Sequence, residues 1–151
     1  MPLFPLPHPA VRETHAPTDR RLQIFVLFNG HKTTANALRA AAHFAADLGG
    51  DILVAAPLVV PYPLPLHCPD ADRRSLIAQI SGSVSDSHIE CPVHKVLIAY
   101  ARDKRDGWRA LLPPGCIVVV GKATRYSPVN QFRAWSTSRF LRKQGYEVLV
   151  A

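Results

Sequence analysis

The sequence predicts a doubly wound α/β domain, built on a single five-stranded parallel sheet with helices on both faces. Apolar runs without polar alternation, such as "IFVLF", "ILVAAPLVV" and "CIVVV", are typical of strands buried on both sides. Segments with helical periodicity separate these runs. Because crossovers between parallel strands are right-handed, this alternation gives the strand order 3-2-1-4-5. A chain of 151 residues, 48% of them hydrophobic, is enough for one such domain.

The first half of the chain begins with a Pro-rich arm, residues 1–20, and the α/β domain is predicted over residues 21–151. Prolines in the arm disfavour regular helix and favour extended backbone. The strand "LQIFVLF" is followed by the helix "TTANALRAAAHFAADLGG", which Thr33 or Thr34 can cap and Gly49 ends. The predicted buried face of this helix consists of Leu38, Ala41, Ala45 and Leu48. A second strand, "DILVAAPLVV", and a second helix, "DADRRSLIAQISGSV", follow.

The second half continues the alternation with the third strand "HKVLIAY". A short crossover over residues 102–115 has room for one or two helical turns around residues 108–112. The fourth strand is "CIVVV". A last helix is predicted from Ser127 or Asn130 to Gln144, and "EVLV" is the fifth strand. We find no second domain.

Charge and cysteine content limit the partners and the compartment. Eighteen Lys and Arg against 11 Asp and Glu give a formal net charge of +7, which favours nucleotides, nucleic acid, acidic proteins or anionic lipid. The three cysteines are too few and too irregularly spaced for a disulfide scaffold, so we expect a cytoplasmic protein. No apolar run reaches the roughly 18 residues of a membrane helix, so no membrane association is expected.

Two glycine-containing loops meet where the winding of such a sheet reverses. They are "NGHKTT", after the first strand, and "GKATRYS", after the fourth. Ligands of doubly wound sheets bind at this point, and both loops lead into a helix N-terminus, which favours anions. The candidate site residues are therefore Asn29, Gly30, Gly121 and Lys122.

From residue 21 onward the sequence resembles the universal stress protein family. "IFVLFNGHKTTANALRAAAHFAADLGGDILVA" is similar to the family's opening unit, with Asn29-Gly30-His31 where Asp-Gly-Ser is usual. "CIVVVG" resembles the fourth strand of the family, and "FLRKQGYEVLV" resembles its last helix and strand. The resemblance implies a homodimer paired through the last strand, Glu147 to Val150. Most members of the family have no catalytic turnover, so the resemblance implies none here.

The resemblance further implies a nucleotide motif that has lost most of its residues. In ATP-binding members the motif is Gly, two residues, Gly, nine residues, then Gly followed by Ser or Thr. Here those positions are Gly121, Thr124, Ala134 and Trp135, so only the first glycine is present. Trp135 is expected where a small hydroxyl would face phosphate. ATP binding by this mode is therefore predicted to be lost or weak, and no cofactor is expected.

Two further residue groups are weaker signals. His88, Cys91 and His94 lie three apart, but Pro92 interrupts them and a fourth ligand is not evident, so we predict no metal site. In the last helix, Trp135, Arg139 and Arg142 fall on one face, which is either a solvated basic face or a surface for a protein partner. Nucleic acid is the less expected ligand, because the chain contains no recognised nucleic-acid module.

The sequence thus predicts a non-enzymatic homodimer that resembles universal stress proteins and has a degenerate nucleotide site. It would act in a stress response through protein contacts or ligand sensing. The alternative is a protein that binds an adenine nucleotide or another small anion in the crevice between strands one and four. An enzyme of the adenine-nucleotide α-hydrolase type would need an early phosphate loop, and "NGHKTT" is a poor one.

Overall fold

The computed structural model describes residues 22–66, 70–122 and 128–151, with side chains at 70–71 and 128–131 left aside. The Pro-rich arm and Thr124 lie outside these ranges, so the predictions that concern them stay predictions. The described elements alternate along the chain. In order they are β1 (Gln23–Leu27), α1 (His31–Leu48), β2 (Asp51–Val59), α2 (Asp70–Ser87), β3 (Val93–Ala101), α3 (Lys104–Leu111), β4 (Ile117–Val120), α4 (Pro128–Lys143) and β5 (Glu147–Val150).

The five strands form one parallel sheet in the order β3-β2-β1-β4-β5, which confirms the predicted fold class and strand order. β1 lies at the centre, between β2 and β4, and its residues from Ile24 to Leu27 are buried. The winding reverses between β1 and β4, so their carboxyl ends border the crevice in which ligands of this architecture bind.

Two hydrophobic cores lie on opposite faces of the sheet. On one face, α1 and α2 pack over alternate strand residues that include Val26, Val54 and Val119. On the other face, α3 and α4 cover the intervening residues, and Trp108 and Leu141 are their largest buried contributions. Because both faces are covered, the strands read as continuous apolar runs rather than as alternating ones.

Helix α1 begins earlier than predicted, and its buried residues lie nearer its N-terminus than predicted. Gly30 is its N-cap, and no side chain caps it, so Thr33 and Thr34 lie inside the helix and the prediction that one of them is the cap was wrong. Leu48 was also wrongly assigned to the core, because it is 59% exposed at the end of the helix. The predicted stop at Gly49 is confirmed, since this residue adopts the left-handed conformation typical of a helix C-terminus.

The loop that follows β2 is held in place by one arginine. Arg102, just after β3, donates from its Nη1 to the carbonyl oxygens of Val60, Pro61 and Leu64, at 3.2, 3.3 and 2.6 Å. Its guanidinium also lies 4.1 Å from the centre of the Tyr62 ring. The otherwise exposed loop is therefore fixed to the end of the neighbouring strand. No helix in the described ranges is long and apolar enough to cross a membrane.

Candidate functional site

The turn between β1 and α1 is fixed by two threonine hydroxyls. The Asn29 backbone N–H donates to Thr34 Oγ1 at 3.2 Å, and the Asn29 carbonyl accepts from Thr33 Oγ1 at 2.6 Å. Gly30 has φ of +103°, a conformation that residues with a Cβ rarely adopt. The backbone conformation of this turn thus accounts for Gly30, and the two hydroxyls hold Asn29 at the end of the central strand.

Gly121 is packed directly against the first turn of α1. A Cβ atom at this position would lie 1.8 Å from the carbonyl oxygen of Thr33 and 2.6 Å from its carbonyl carbon, so no larger residue fits without backbone movement. Next to it, the Lys122 N–H donates to the Ala151 carbonyl, and the Lys122 carbonyl accepts from Asn36 Nδ2 at 3.1 Å. The structure therefore places the first two residues of the second predicted loop, Gly121 and Lys122, against α1. At Gly121, the space in which a ligand could approach the backbone is occupied by the Thr33 carbonyl group.

The last two motif positions lie within α4 and do not form a turn. Ala134 is buried against the sheet, whereas Trp135 is 55% exposed, with the Arg139 guanidinium 5.2 Å from its ring centre. The expectation that Trp135 stands where a small hydroxyl would face phosphate stays a prediction, because residues 123–127 of the preceding loop lie outside the described ranges. Inside a helix, backbone N–H groups bond to the preceding turn, so those at Ala134 and Trp135 are not available to a phosphate.

A cavity of about 340 Å³ opens between α3 and α4 at the carboxyl end of β1. It is lined by Asn29, by Lys104 and Trp108 of α3, and by Phe132, Arg133, Ser136 and Thr137 of α4. None of these seven residues is acidic. Two cations, an amide and two hydroxyls therefore face a common space, which suits a small anion that accepts hydrogen bonds.

Trp108, one of the residues that line this cavity, has an unpaired buried donor. Its side chain is only 6% exposed, and its Nε1 has no hydrogen-bond partner among the described residues. A buried N–H group without an acceptor costs about 1–3 kcal/mol, so such groups are uncommon in folded proteins. Phe140 packs against the indole, with ring centres 6.2 Å apart.

The N-terminus of α1, the other predicted anion site, already has an anionic neighbour. His31, its first residue, hydrogen-bonds through Nε2 to the carboxylate of Asp86 on α2. This hydrogen bond is the main cause of the lowered pKa of Asp86. Ser83 of α2 also donates to the His31 carbonyl, at 3.0 Å. Because a carboxylate offsets the positive end of α1, an added anion gains less there than in the cavity between α3 and α4.

His88, Cys91 and His94 have no shared site in the structure. His94 is an exposed residue of β3, while His88 has φ of +50° after the end of α2. Within the described ranges, no group of three or more His, Cys, Asp or Glu side chains is placed to hold a metal ion.

Of the four predicted site residues, the structure places only Asn29 in the cavity wall. None of the residues of α3 and α4 that line the cavity was predicted from the sequence. One signal was available for each helix. Lys104 follows closely on the carboxyl end of β3, and Ser136-Thr137 comes directly after the last motif position.

Known proteins resemble this chain in structure and not in sequence. No protein-family model matches it, and no curated protein matches it either. A universal stress protein solved in complex with cAMP has a TM-score of 0.55 at 11% identity, over 87% of this chain and 96% of that one. A universal stress protein from Archaeoglobus fulgidus has a TM-score of 0.51 at 18% identity, over 85% and 92%. These likenesses show that the chain has the universal stress protein fold.

Proposed function

We propose that this chain is a non-enzymatic, universal-stress-protein-like protein that senses a small anionic ligand in the cavity between α3 and α4. The observation that carries the proposal is the composition of the cavity wall, in which Lys104 and Arg133 face the same space without an acidic residue. The cavity lies at the switch point of the sheet, where ligands of doubly wound folds bind. Through this ligand, the protein would act in a stress response.

The proposal includes a nucleotide site that no longer binds ATP by the family's glycine-loop mode. Two observations support this part. The space beside Gly121 is filled by the Thr33 carbonyl, and Ala134 and Trp135 are helical residues without free N–H groups. Losing several hydrogen bonds to charged phosphate oxygens, at about 1.5–3 kcal/mol each, weakens binding by orders of magnitude.

An adenine nucleotide with a single phosphate is the ligand class that we propose. A volume of about 340 Å³ falls within the range of small-molecule sites, roughly 300–1,000 Å³. The phosphate would lie between Lys104 and Arg133, with Ser136 and Thr137 as further donors. Phe132 offers an aromatic surface to the base. The structurally similar protein in complex with cAMP binds a ligand of this class.

Calorimetric titration with AMP, cAMP and ATP tests the site. We expect Lys104→Ala and Arg133→Ala each to weaken AMP binding about tenfold or more, because each removes a charge-assisted hydrogen bond. Lys122→Ala is the matched control, since Lys122 is an exposed lysine beside the glycine loop and does not line the cavity. If Lys122→Ala weakens binding and Lys104→Ala does not, the ligand lies at the glycine loop and the proposed site is wrong. ATP consumption above a buffer control would refute the non-enzymatic assignment.

We also propose that the protein is a homodimer paired through β5, which is an edge strand of the sheet. Glu147 and Ala151 direct their N–H groups to β4, where they donate to the carbonyls of Cys116 and Val120. Since alternate residues point to opposite sides, the N–H groups of Val148 and Val150 point to the open edge, where a second β5 can pair.

Val150→Pro removes one outward N–H and leaves the bonds to β4 in place, so it should weaken the dimer without unfolding the sheet. Light scattering after gel filtration measures the mass. We expect a dimer for the wild type and the 16.6 kDa monomer for Val150→Pro. A wild-type monomer at high protein concentration would refute this pairing.

A further inference from the structure

The charges of the four helices are strongly segregated between the two faces of the sheet. By sequence, α3 and α4 together contain seven Lys and Arg residues and one acidic residue, Asp106. By contrast, α1 and α2 contain four Lys and Arg residues and four Asp residues. The net positive charge of the helices therefore lies on one face, which is the arrangement expected of a surface that meets a polyanion.

Aromatic rings are exposed among these cations on α4. Phe132 is 64% exposed and Trp135 is 55% exposed, with ring centres 6.0 Å apart. Arg139 lies over the Trp135 ring, and on α3 two arginines, Arg105 and Arg109, lie 4.8 and 5.2 Å from the centre of the Phe140 ring. The outer side of the two helices thus carries these arginines together with two exposed rings and the partly buried ring of Phe140. We call the set Arg105, Arg109, Phe132, Trp135, Arg139 and Arg142 the α3/α4 basic surface.

We infer that the α3/α4 basic surface binds single-stranded nucleic acid. A single strand carries both phosphates and planar bases, and this surface carries guanidinium groups together with two exposed rings, one of which has an arginine over it. Arginines bind phosphate oxygens, and exposed aromatic side chains stack with unpaired bases. A duplex hides its bases, so it would use the cations alone. An acidic protein segment supplies carboxylates but no repeated planar groups.

This inference goes beyond the proposed ligand site and does not depend on it. The two share Phe132, but Trp135 and Arg139 do not line the cavity. Lys104→Ala should therefore weaken AMP binding and leave binding to a single strand within about twofold, whereas Trp135→Ala should do the opposite. Failure of one proposal is thus distinguishable from failure of the other.

The test is titration of a fluorescein-labelled 20-nucleotide oligo-dT with the full-length protein, with affinities measured by fluorescence anisotropy and the tryptophan emission of the wild type recorded in parallel. Trp135 is the exposed tryptophan and Trp108 the buried one, so base stacking should quench the Trp135 emission. We expect Trp135→Ala to weaken binding roughly 5- to 100-fold and Trp135→Phe to retain most of it. Arg139→Gln should also reduce the slope of log affinity against log salt concentration by about 0.7, because one phosphate contact is lost.

Arg74→Gln is the matched control, because it removes the same charge from an exposed position on α2 and should leave the affinity unchanged. Polyglutamate of similar length and a 20-base-pair duplex complete the comparison. Binding of polyglutamate as tight as that of oligo-dT, with the same dependence on Trp135, would overturn the inference in favour of an acidic protein. An equal loss in Arg74→Gln and Arg139→Gln, or no binding of oligo-dT at low salt, would also overturn it.

Discussion

Replacing Gly121 by alanine should destabilise the fold strongly, because the added methyl group has no space. It would lie 1.8 Å from the Thr33 carbonyl oxygen, whereas ordinary van der Waals contact begins near 3.4 Å. The end of β4 and the first turn of α1 would have to separate by about 1.6 Å. Hydrogen bonds oppose this movement, since Thr33 Oγ1 is bound to the Asn29 carbonyl and Asn36 is bound to the Lys122 carbonyl.

The expected cost is about 3 kcal/mol, at the upper end of what overpacking usually costs, because both partners are backbone atoms rather than adaptable side chains. Gly115→Ala is the matched control. Gly115 has φ of +73°, so alanine is strained there, but nothing lies within 4 Å of the added Cβ. This strain alone should cost about 1 kcal/mol. The free energies of unfolding of the two variants should therefore differ by about 2 kcal/mol.

Urea unfolding followed by circular dichroism measures both values. With a slope of about 1–3 kcal/mol per molar urea, Gly121→Ala should lower the midpoint by about 1 M or more relative to the wild type. Under conditions where this variant is folded, its affinity for AMP should be unchanged. Equal midpoints for the two variants would refute the packing argument. A stable Gly121→Ala protein that no longer binds AMP would show that the glycine serves a ligand.

Three further predictions concern single side chains. Arg102→Ala should destabilise the fold by about 1–3 kcal/mol and make the loop after β2 sensitive to limited proteolysis, because three carbonyls lose their donor. Lys143→Ala is the control and should change neither the free energy of unfolding nor the proteolysis of this loop. Because the pKa of Asp86 is lowered from 3.8 in the folded protein, its contribution to stability is present above about pH 3.8 and is lost as the pH falls through the lowered value. Urea unfolding at pH 6 and pH 3 measures this loss. The free energy of unfolding should decrease less between these two pH values for Asp86→Asn than for the wild type. Burial raises the pKa of the Cys116 thiol from 9.0 to about 11. The rate of its labelling by iodoacetamide, mapped by mass spectrometry, should therefore increase up to about pH 11 in the native protein but level off near pH 9 in urea, because only the thiolate reacts. A rate that levels off at the same pH in both would contradict this.

The fold could be predicted from the sequence because its signals are local. Each buried strand is one short apolar run, and Gly49 marks the end of α1 by a conformation that other residues disfavour. The errors also have a local cause. A threonine near a helix start is typical of a cap, but Thr33 and Thr34 instead hold the turn from inside the helix. Leu48 fits the helical periodicity, although α1 ends beyond the edge of the core.

The candidate site could be predicted only in part, because its walls come from distant segments. Asn29 follows a recognisable strand, and its place at the switch point follows from the strand order. Lys104 and Arg133 are far apart in the sequence, and only the packing of α3 beside α4 brings them to one cavity. The direction of Trp135 depends on where α4 begins. A start at Pro128 makes the last two motif positions, Ala134 and Trp135, part of a continuous helix, which spacing alone does not indicate.

The segregation of charge between the two helical layers also means that the four helices carry their net positive charge on one side of the sheet. On any polyanionic support, such as a cation-exchange matrix or a nucleic-acid strand, the molecules should adsorb in one orientation, with α1 and α2 facing solution. Surface probes attached to Arg74 and to Arg109 should then differ in accessibility on the support, although both side chains are exposed in the free protein.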